Sequence, residues 1–144
     1  MAGMARTLIV VPSYNGLGDL KRLVASLPAD ANLYVIDSSS SDGTADYLAA
    51  QGIDHRIIPQ REFNHGGTRQ RAIEERPGYE VYIYLTQDAY LESPAAIERL
   101  LAHFDDPRVG AVCGRQLPHR DANPLATHAR HFNYPAQSQT KGLE

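Results

Sequence analysis

Apolar residues along the chain fall into two alternating periods. Thr7-Leu8-Ile9-Val10-Val11 is an unbroken β-rich run with Pro12 directly after it, which predicts a central strand that the proline ends. Leu20, Leu23, Val24 and Leu27 then recur at helical spacing, with Asp19 as N-cap and Pro28 as stop. Leu33-Tyr34-Val35-Ile36 predicts a second strand, with Asp37 at its end. Asp42-Gly43-Thr44 opens a second helix, whose apolar face is Ala45, Leu48 and Ala49 and which Gly52 terminates. Arg56-Ile57-Ile58, closed by Pro59, predicts a short third strand. A polar stretch, Gln60 to Gly67, leads into a helix over Thr68 to Glu75, broken by Pro77-Gly78. Val81 to Leu85 is the fourth strand. Ser93 as N-cap, with Pro94 at the first helical position, starts a helix with Ile97, Leu100, Leu101 and Phe104 on one face. Val109 to Cys113 predicts a fifth strand.

Strands alternating with helices imply βαβ units with right-handed crossovers. The expected class is therefore α/β, a mostly parallel twisted sheet with helices on both faces. From Gly114 the pattern fails: Pro118, Pro124 and Pro135 punctuate a segment rich in His, Asn, Gln and Arg. That segment reads as a long loop, or a short helix lying across the sheet edge. The expected organisation is one domain over 1–144, with a binding core over 1–113 and an irregular segment over 114–144.

Composition narrows the function classes. A chain of 144 residues is long enough for one domain with a real core. The net charge is −3 and no Lys/Arg run is present, which argues against a nucleic-acid or polybasic membrane surface. The single cysteine, Cys113, supports neither a disulfide framework nor a cysteine-based metal site. The six histidines do not fall at metal-ligand spacing, so no zinc site is assigned. Leu8 to Val11 is too short for a signal-peptide core, and no apolar stretch is long enough to span a bilayer. A reducing cytoplasm is the expected location.

Parallel strands all finish on one edge, where open α/β sheets bind ligands. The polar clusters Pro12-Ser13-Tyr14-Asn15, Asp37 to Asp42, Asn64 to Arg71 and Thr86-Gln87-Asp88 all follow predicted strands. A base can stack on Tyr14, and Asp37 can accept from a ring N–H or a ribose hydroxyl. Arg69 or Arg71 can neutralise phosphate. Asp88 can hold a divalent cation that bridges phosphate oxygens. Taken singly, each has an ordinary structural role: Tyr14 as a packed rim residue, Asp37 and Asp42 as turn and cap residues, Arg69 and Arg71 as solvated helix charges, Asp88 as a turn residue before Ser93. Together they are the parts needed to hold a nucleoside diphosphate and stabilise it as a leaving group. No Gly-x-Gly-x-x-Gly or Walker pattern follows the first strand, which removes the dinucleotide and P-loop readings.

These motifs resemble the nucleotide-binding part of a family 2 glycosyltransferase with the GT-A fold. Pro12-Ser13-Tyr14-Asn15 resembles that family's Pro-x-Tyr-Asn opening. Val35-Ile36-Asp37-Ser38-Ser39-Ser40-Ser41-Asp42-Gly43-Thr44 resembles its Val-Asp-Asn-x-Ser-x-Asp-Gly-Thr segment, and Thr68-Arg69-Gln70-Arg71-Ala72 its Ala-Arg-Asn-x-Gly helix start. Thr86-Gln87-Asp88 occupies the place of its Asp-x-Asp. More narrowly, Phe63-Asn64-His65-Gly66-Gly67-Thr68-Arg69, Leu85-Thr86-Gln87-Asp88-Ala89 and Gly114-Arg115-Gln116-Leu117-Pro118 together look like the rhamnosyltransferase branch.

The resemblance implies a base bound by Tyr14 and Asp37, a diphosphate near Arg69, and Mg²⁺ or Mn²⁺ on Asp88. Pro12, Asn15 and Gln87 count with them as nucleotide-binding. It implies transfer of a sugar, rhamnose by the narrower match, from a dTDP or UDP donor to a carbohydrate or lipid-linked acceptor. Transfer would invert the anomeric centre and depend on metal, and the full-length protein would sit at the inner face of the membrane. Thr86 stands where the family has the first Asp, so the metal site has one carboxylate fewer. The family's catalytic base and acceptor pocket lie downstream, so the chain reads as an N-terminal portion. No residue is assigned as the base; Asp121 is the nearest acidic residue and is not chosen. Two other classes stay open: a nucleotide-sugar-binding module without turnover, and a nucleotidyltransferase. The second would carry a Gly-rich phosphate loop after the first strand, which Pro12 to Gly16 matches poorly.

Overall fold

The structure, a computed structural model, describes residues 3–142; the ends of the expected 1–144 domain lie outside the described residues. Its framework is a four-stranded, fully parallel sheet of β1 (Thr7–Ser13), β2 (Asn32–Asp37), β3 (Asp54–Ile57) and β4 (Val81–Tyr84), in the order β3-β2-β1-β4. The helices are α1 (Leu17–Ser26), α2 (Thr44–Ala50), α3 (His65–Glu75), α4 (Ala95–Leu101) and α5 (Pro124–Asn133). The sheet is covered on both faces. Ile9, Val11 and Val35 pack with Leu20 and Leu23 of α1, Leu48 of α2, and Ile97 and Leu101 of α4. Leu8, Val10, Tyr34 and Ile36 face the other way and pack with Ile58 and Ala72 of α3. The period-2 alternation of β1 thus feeds two cores, which is why its apolar run is continuous. The α/β class, the parallel sheet and the two-sided helix layers are as the sequence predicts.

Pro12 does not end β1. The strand continues to Ser13, with Pro12 opposite Ile36 and Ser13 opposite Asp37. Leu85 N donates to Val10 O on one side of β1, and Ser38 N donates to Ser13 O on the other. Alternation puts the Pro12 nitrogen on the β4 side, beyond the last β4 bond, so the missing N–H removes no ladder donor.

Helix starts are displaced from expectation at three places. α1 begins at Leu17 after Gly16, not at Asp19. α3 begins at His65, so Gly66 and Gly67 are helical: Asn64 Oδ1 accepts from both of their amides, at 3.0 and 2.9 Å. Pro94, rather than Ser93, is the capping residue of α4. At its other end α3 is anchored to the sheet. Tyr34 Oη donates to Glu75, Arg56 pairs with Glu75 at 2.6 Å, and Arg76 pairs with Asp54 through two bonds of 2.6 and 2.7 Å. Burial, then the Glu75 carboxylate, pushes the Tyr34 hydroxyl far above its ordinary pKa, so it remains a neutral donor.

The fifth strand does not form. Val109 to Cys113 pairs with nothing in the sheet, and Ala111 and Cys113 are exposed. Its apolar residues are small and interrupted by Gly110, so pairing against an edge would bury little surface. The chain divides into two compact units at this segment, one ending at Val109 and one starting at Gly110. In the second unit, Asn123 caps α5 by accepting from Ala126 N at 2.8 Å, with Pro124 at the first position. Of the two readings of this segment, a long loop or a short helix, the helix is the one that forms, ten residues long.

Candidate functional site

Because the sheet is all parallel, Ser13, Asp37, Ile57 and Tyr84 finish β1 to β4 on one edge. The loops leaving that edge are joined to one another by side chains. Asp37 is the hub: it is 1 % exposed. Its Oδ1 accepts from Ser13 Oγ at 2.7 Å and Ser40 Oγ at 2.6 Å, and its Oδ2 accepts from Ser40 N at 2.9 Å. A carboxylate has about four acceptor sites, so one remains on Oδ2. Ser39, at a φ of 58°, donates through Oγ to Ile58 O at 2.7 Å, which ties the same loop to the end of β3. The neighbouring Ser38 Oγ is buried without a hydrogen-bond partner among the described residues.

Asn15 links the first loop to the second. Its backbone has a φ of 44°, a left-handed geometry that asparagine tolerates better than most residues. Asn15 N donates to Ser40 Oγ at 2.9 Å, and Asn15 Oδ1 accepts from Ser41 N at 2.8 Å. Asp42 is a cap, as its ordinary reading holds, but for two helices. Oδ2 accepts from Leu17 N at the start of α1 at 2.9 Å, while Oδ1 accepts from Thr44 Oγ1 at 2.6 Å and Thr44 N at 3.2 Å.

The Thr44 hydroxyl, then the Leu17 amide, hold the Asp42 carboxyl below its ordinary pKa. A depressed folded pKa means stability that is complete above the unfolded value, about 3.9, and is lost as pH falls through the lower folded value. The stability difference between wild type and Asp42→Asn should therefore be flat near neutral pH and shrink below about pH 4. Urea unfolding across pH measures it; a difference that stays constant into the acid range would mean that the charge of Asp42 does no work in the cap.

Tyr14 is 43 % exposed, so its ring is available to a ligand. Its main chain is held by Gln87: Tyr14 N donates to Oε1 at 2.9 Å, and Nε2 donates to Tyr14 O at 3.0 Å. Pro12 is half-buried inside β1. Arg69 reaches back to its own helix, donating to His65 O at 2.6 Å, and makes no ion pair with a carboxylate among the described residues. Tyr84 Oη donates to Arg69 O at 3.2 Å, tying α3 to the end of β4. Arg71 instead pairs with Glu62 at 3.5 Å and lies 4.0 Å from Glu75, so of the two arginines Arg69 has the uncommitted charge. Asp88 is exposed and makes no hydrogen bond or ion pair among the described residues. No group of three or more His, Cys, Asp or Glu that could hold a metal occurs among the described residues. A concavity of about 600 Å³ lies at the opposite edge, lined by Leu27, Asn32, Leu33, Ile53 and Tyr79 among others; it holds none of the residues named for the site.

Sequence reasoning missed Ser13, Ser40 and Gly16. Ser40 carried a signal, since the run from Ser38 to Ser41 between two aspartates offers local hydroxyl and amide pairing.

A parallel sheet with helices on both faces and polar loops gathered at its C-terminal edge defines an open α/β fold, and its likeness to solved structures makes it of the GT-A type. The solved mannosyltransferase PcManGT from Pyrobaculum calidifontis, in complex with GDP-Man and Mn²⁺, is similar with a TM-score of 0.64 and 19% identity, over 77% of this chain and 36% of that one. Staphylococcus aureus TarS in complex with UDP is similar with a TM-score of 0.53 and 22% identity, over 79% of this chain and 38% of that one. A CMP:2-keto-3-deoxy-manno-octonic acid synthetase complexed with CTP gives a TM-score of 0.52 at 18% identity, over 71% of this chain and 48% of that one, so the fold alone does not separate sugar transfer from nucleotidyl transfer.

The model of glycosyl transferase family 2 matches residues 8–143, and the chain belongs to that family. It is 42% identical over 138 residues to the O-antigen chain rhamnosyltransferase WbaN of Salmonella anatum, and 44% identical over 139 residues to RfbN of Salmonella typhimurium. Each match covers 92% of this chain and 44% of the relative, so the chain spans less than half the length of these curated relatives. No helix among the described residues is long and apolar enough to cross a membrane.

Proposed function

We propose that this chain is the donor-binding part of a glycosyltransferase that moves a sugar from a nucleoside diphosphate carrier to a glycan or lipid-linked acceptor. The likeness to two O-antigen rhamnosyltransferases supports rhamnose as the sugar, with dTDP or UDP as carrier. The observation that carries the reading is the junction of Tyr14 with Gln87, which joins an exposed aromatic ring to the loop bearing Asp88 on the ligand-binding edge of the sheet. In this reading the base stacks on Tyr14, and Asp37 offers its remaining acceptor site on Oδ2 to a ring N–H. Pro12 and Asn15 shape the loop beneath the base, and Arg69 approaches the diphosphate.

Asp88 fits a hard divalent cation, Mg²⁺ or Mn²⁺. Its carboxylate is exposed and uncommitted, and such ions are held by one or two carboxylates completed by phosphate oxygens and water. When bound, the ion would neutralise charge on the departing diphosphate. Inverting transfer also needs a general base on the acceptor hydroxyl, and no described residue is assigned that part.

Titration calorimetry with dTDP and UDP, with and without Mn²⁺, tests the reading. Saturable binding that Mn²⁺ strengthens is expected. No heat at millimolar nucleotide, with folded protein, would overturn it.

A further inference from the structure

We infer that Gln87 is a positioning residue: its side-chain amide locks the Tyr14 loop to the Asp88 loop, so that ligand contacts at the two loops depend on each other. The inference rests on the reading of this edge as a nucleotide site.

The ladder between β1 and β4 stops where Leu85 N donates to Val10 O. Along β1, the main-chain groups of residues 10 and 12 face the β4 side, and Tyr14 is the first residue past the strand's end. Pro12 has no N–H to offer there. Tyr14 presents both N–H and C=O, past the end of β4 (Tyr84). The Gln87 side chain meets both, accepting at 2.9 Å and donating at 3.0 Å, as a neighbouring strand would. Both polar atoms of the amide are thus engaged by one residue of β1's exit loop. Its immediate neighbour in sequence is Asp88.

Gly16 shows how closely the amide is seated. A Cβ built on Gly16 would stand 2.3 Å from Gln87 Nε2, 2.5 Å from Cδ and 2.8 Å from Oε1. The φ of Gly16, −136°, lies outside the left-handed region that favours glycine, so a positive φ is not what demands glycine there. The Gln87 side chain does. Only glutamine satisfies Tyr14 fully: glutamate cannot donate to its carbonyl, asparagine is one methylene shorter, and methionine offers neither group.

The lock predicts three results on the 144-residue chain. The Tyr14 amide should exchange with solvent at least about tenfold faster in Gln87→Ala and Gln87→Met, as read by NMR, since the bond to Oε1 is its protection. Gly16→Ala should lower the melting temperature in wild type but add no further loss on Gln87→Ala, because the atoms it strikes are gone. For dTDP with Mn²⁺, the losses from Tyr14→Ala and Asp88→Asn should be non-additive in wild type by about 5-fold or more, and additive on Gln87→Ala. Unchanged Tyr14 exchange, or equal harm from Gly16→Ala in both backgrounds, would overturn the lock. Additive losses already in wild type would overturn the coupling. If wild type binds no nucleotide, the functional reading fails, while the exchange and Gly16 measurements still decide the lock.

Discussion

Asp37→Ala should lower stability by about 3 kcal/mol, the scale for stranding buried donors that a carboxylate had satisfied. For a unit of this size that is a fall of roughly 12–24 °C in melting temperature, at about 4–8 °C per kcal/mol. The cause is local. Ser13 Oγ, Ser40 Oγ and Ser40 N all donate to this one carboxylate, and Asp37 and Ser13 are buried. An alanine leaves these donors facing a space that their hydroxyls can only partly repair by rotation. Asp37→Asn should fall between wild type and alanine. Its amide oxygen can still serve the two hydroxyls, but its NH₂ then confronts the Ser40 N–H. Thermal unfolding followed by circular dichroism checks the order. An alanine variant melting within about 4 °C of wild type would mean that the loop does not depend on this hub. The same variant should lose nucleotide affinity, because Ser40 Oγ also holds Asn15 N and so fixes the turn beyond Tyr14.

The sheet was legible because its strands are buried on both faces. Ile9, Val10 and Val11 feed alternate cores and are wholly buried, so the run is apolar at every position and stands out against its helices. What misled was local chemistry whose sign depends on tertiary partners. Pro12 reads as a strand end, yet its nitrogen falls where β4 has already stopped. Gly66-Gly67 reads as the end of the polar stretch before the helix, yet both amides are held by Asn64 and the helix starts around them. Val109 to Cys113 has strand composition, but β-propensity reports packing against neighbours, and Val, Ala and Cys around Gly110 have little to pack. α5 was read only as a short helix without bounds, in alternative to a long loop, because Leu125 and Phe132 are both 79 % exposed and pattern reading expects apolar residues to mark a buried face.

At the candidate site, the sheet edge on which each named residue falls was readable and the connections between them were not. Tyr14, Asp37, Gln87 and Asp88 lie at or just beyond strand ends on the C-terminal edge of the sheet, and Arg69 lies in the first half of α3, as the alternation of elements requires. Which of them holds the others was invisible. Gln87 and Tyr14 are 73 positions apart, and Asp42 caps a helix 25 positions upstream of itself. Such pairings follow from the strand order β3-β2-β1-β4, which places β4 beside β1. Once that order is known, Gly16 and Gln87 become one feature rather than two.

Asp88→Asn should remove most of the Mn²⁺-dependent gain in dTDP or UDP affinity. Among the described residues Asp88 is exposed, makes no ion pair, and belongs to no cluster of metal-ligating side chains. Thr86 stands two positions earlier, so no second carboxylate shares the load within this turn. A hard cation here would take one charged protein ligand and complete its shell with phosphate and water oxygens. An asparagine keeps the size and one oxygen but removes the charge. Loss of a mere supporting contact at a metal site typically costs 10–100-fold in affinity, so loss of the charged ligand itself should lie near about 100-fold. That corresponds to roughly 2.8 kcal/mol at 1.4 kcal/mol per tenfold. Binding without metal should stay unchanged or strengthen slightly, since Asp88 alone repels phosphate and its removal relieves that repulsion. Arg69→Ala supplies the contrast. It removes a cation with no carboxylate partner, so it should weaken nucleotide binding to a similar degree with and without Mn²⁺. Calorimetric titrations of the two variants, run in parallel at fixed ionic strength, separate the cases. If Asp88→Asn leaves the Mn²⁺ increment intact, Asp88 is a turn residue and the metal, if used, is held elsewhere.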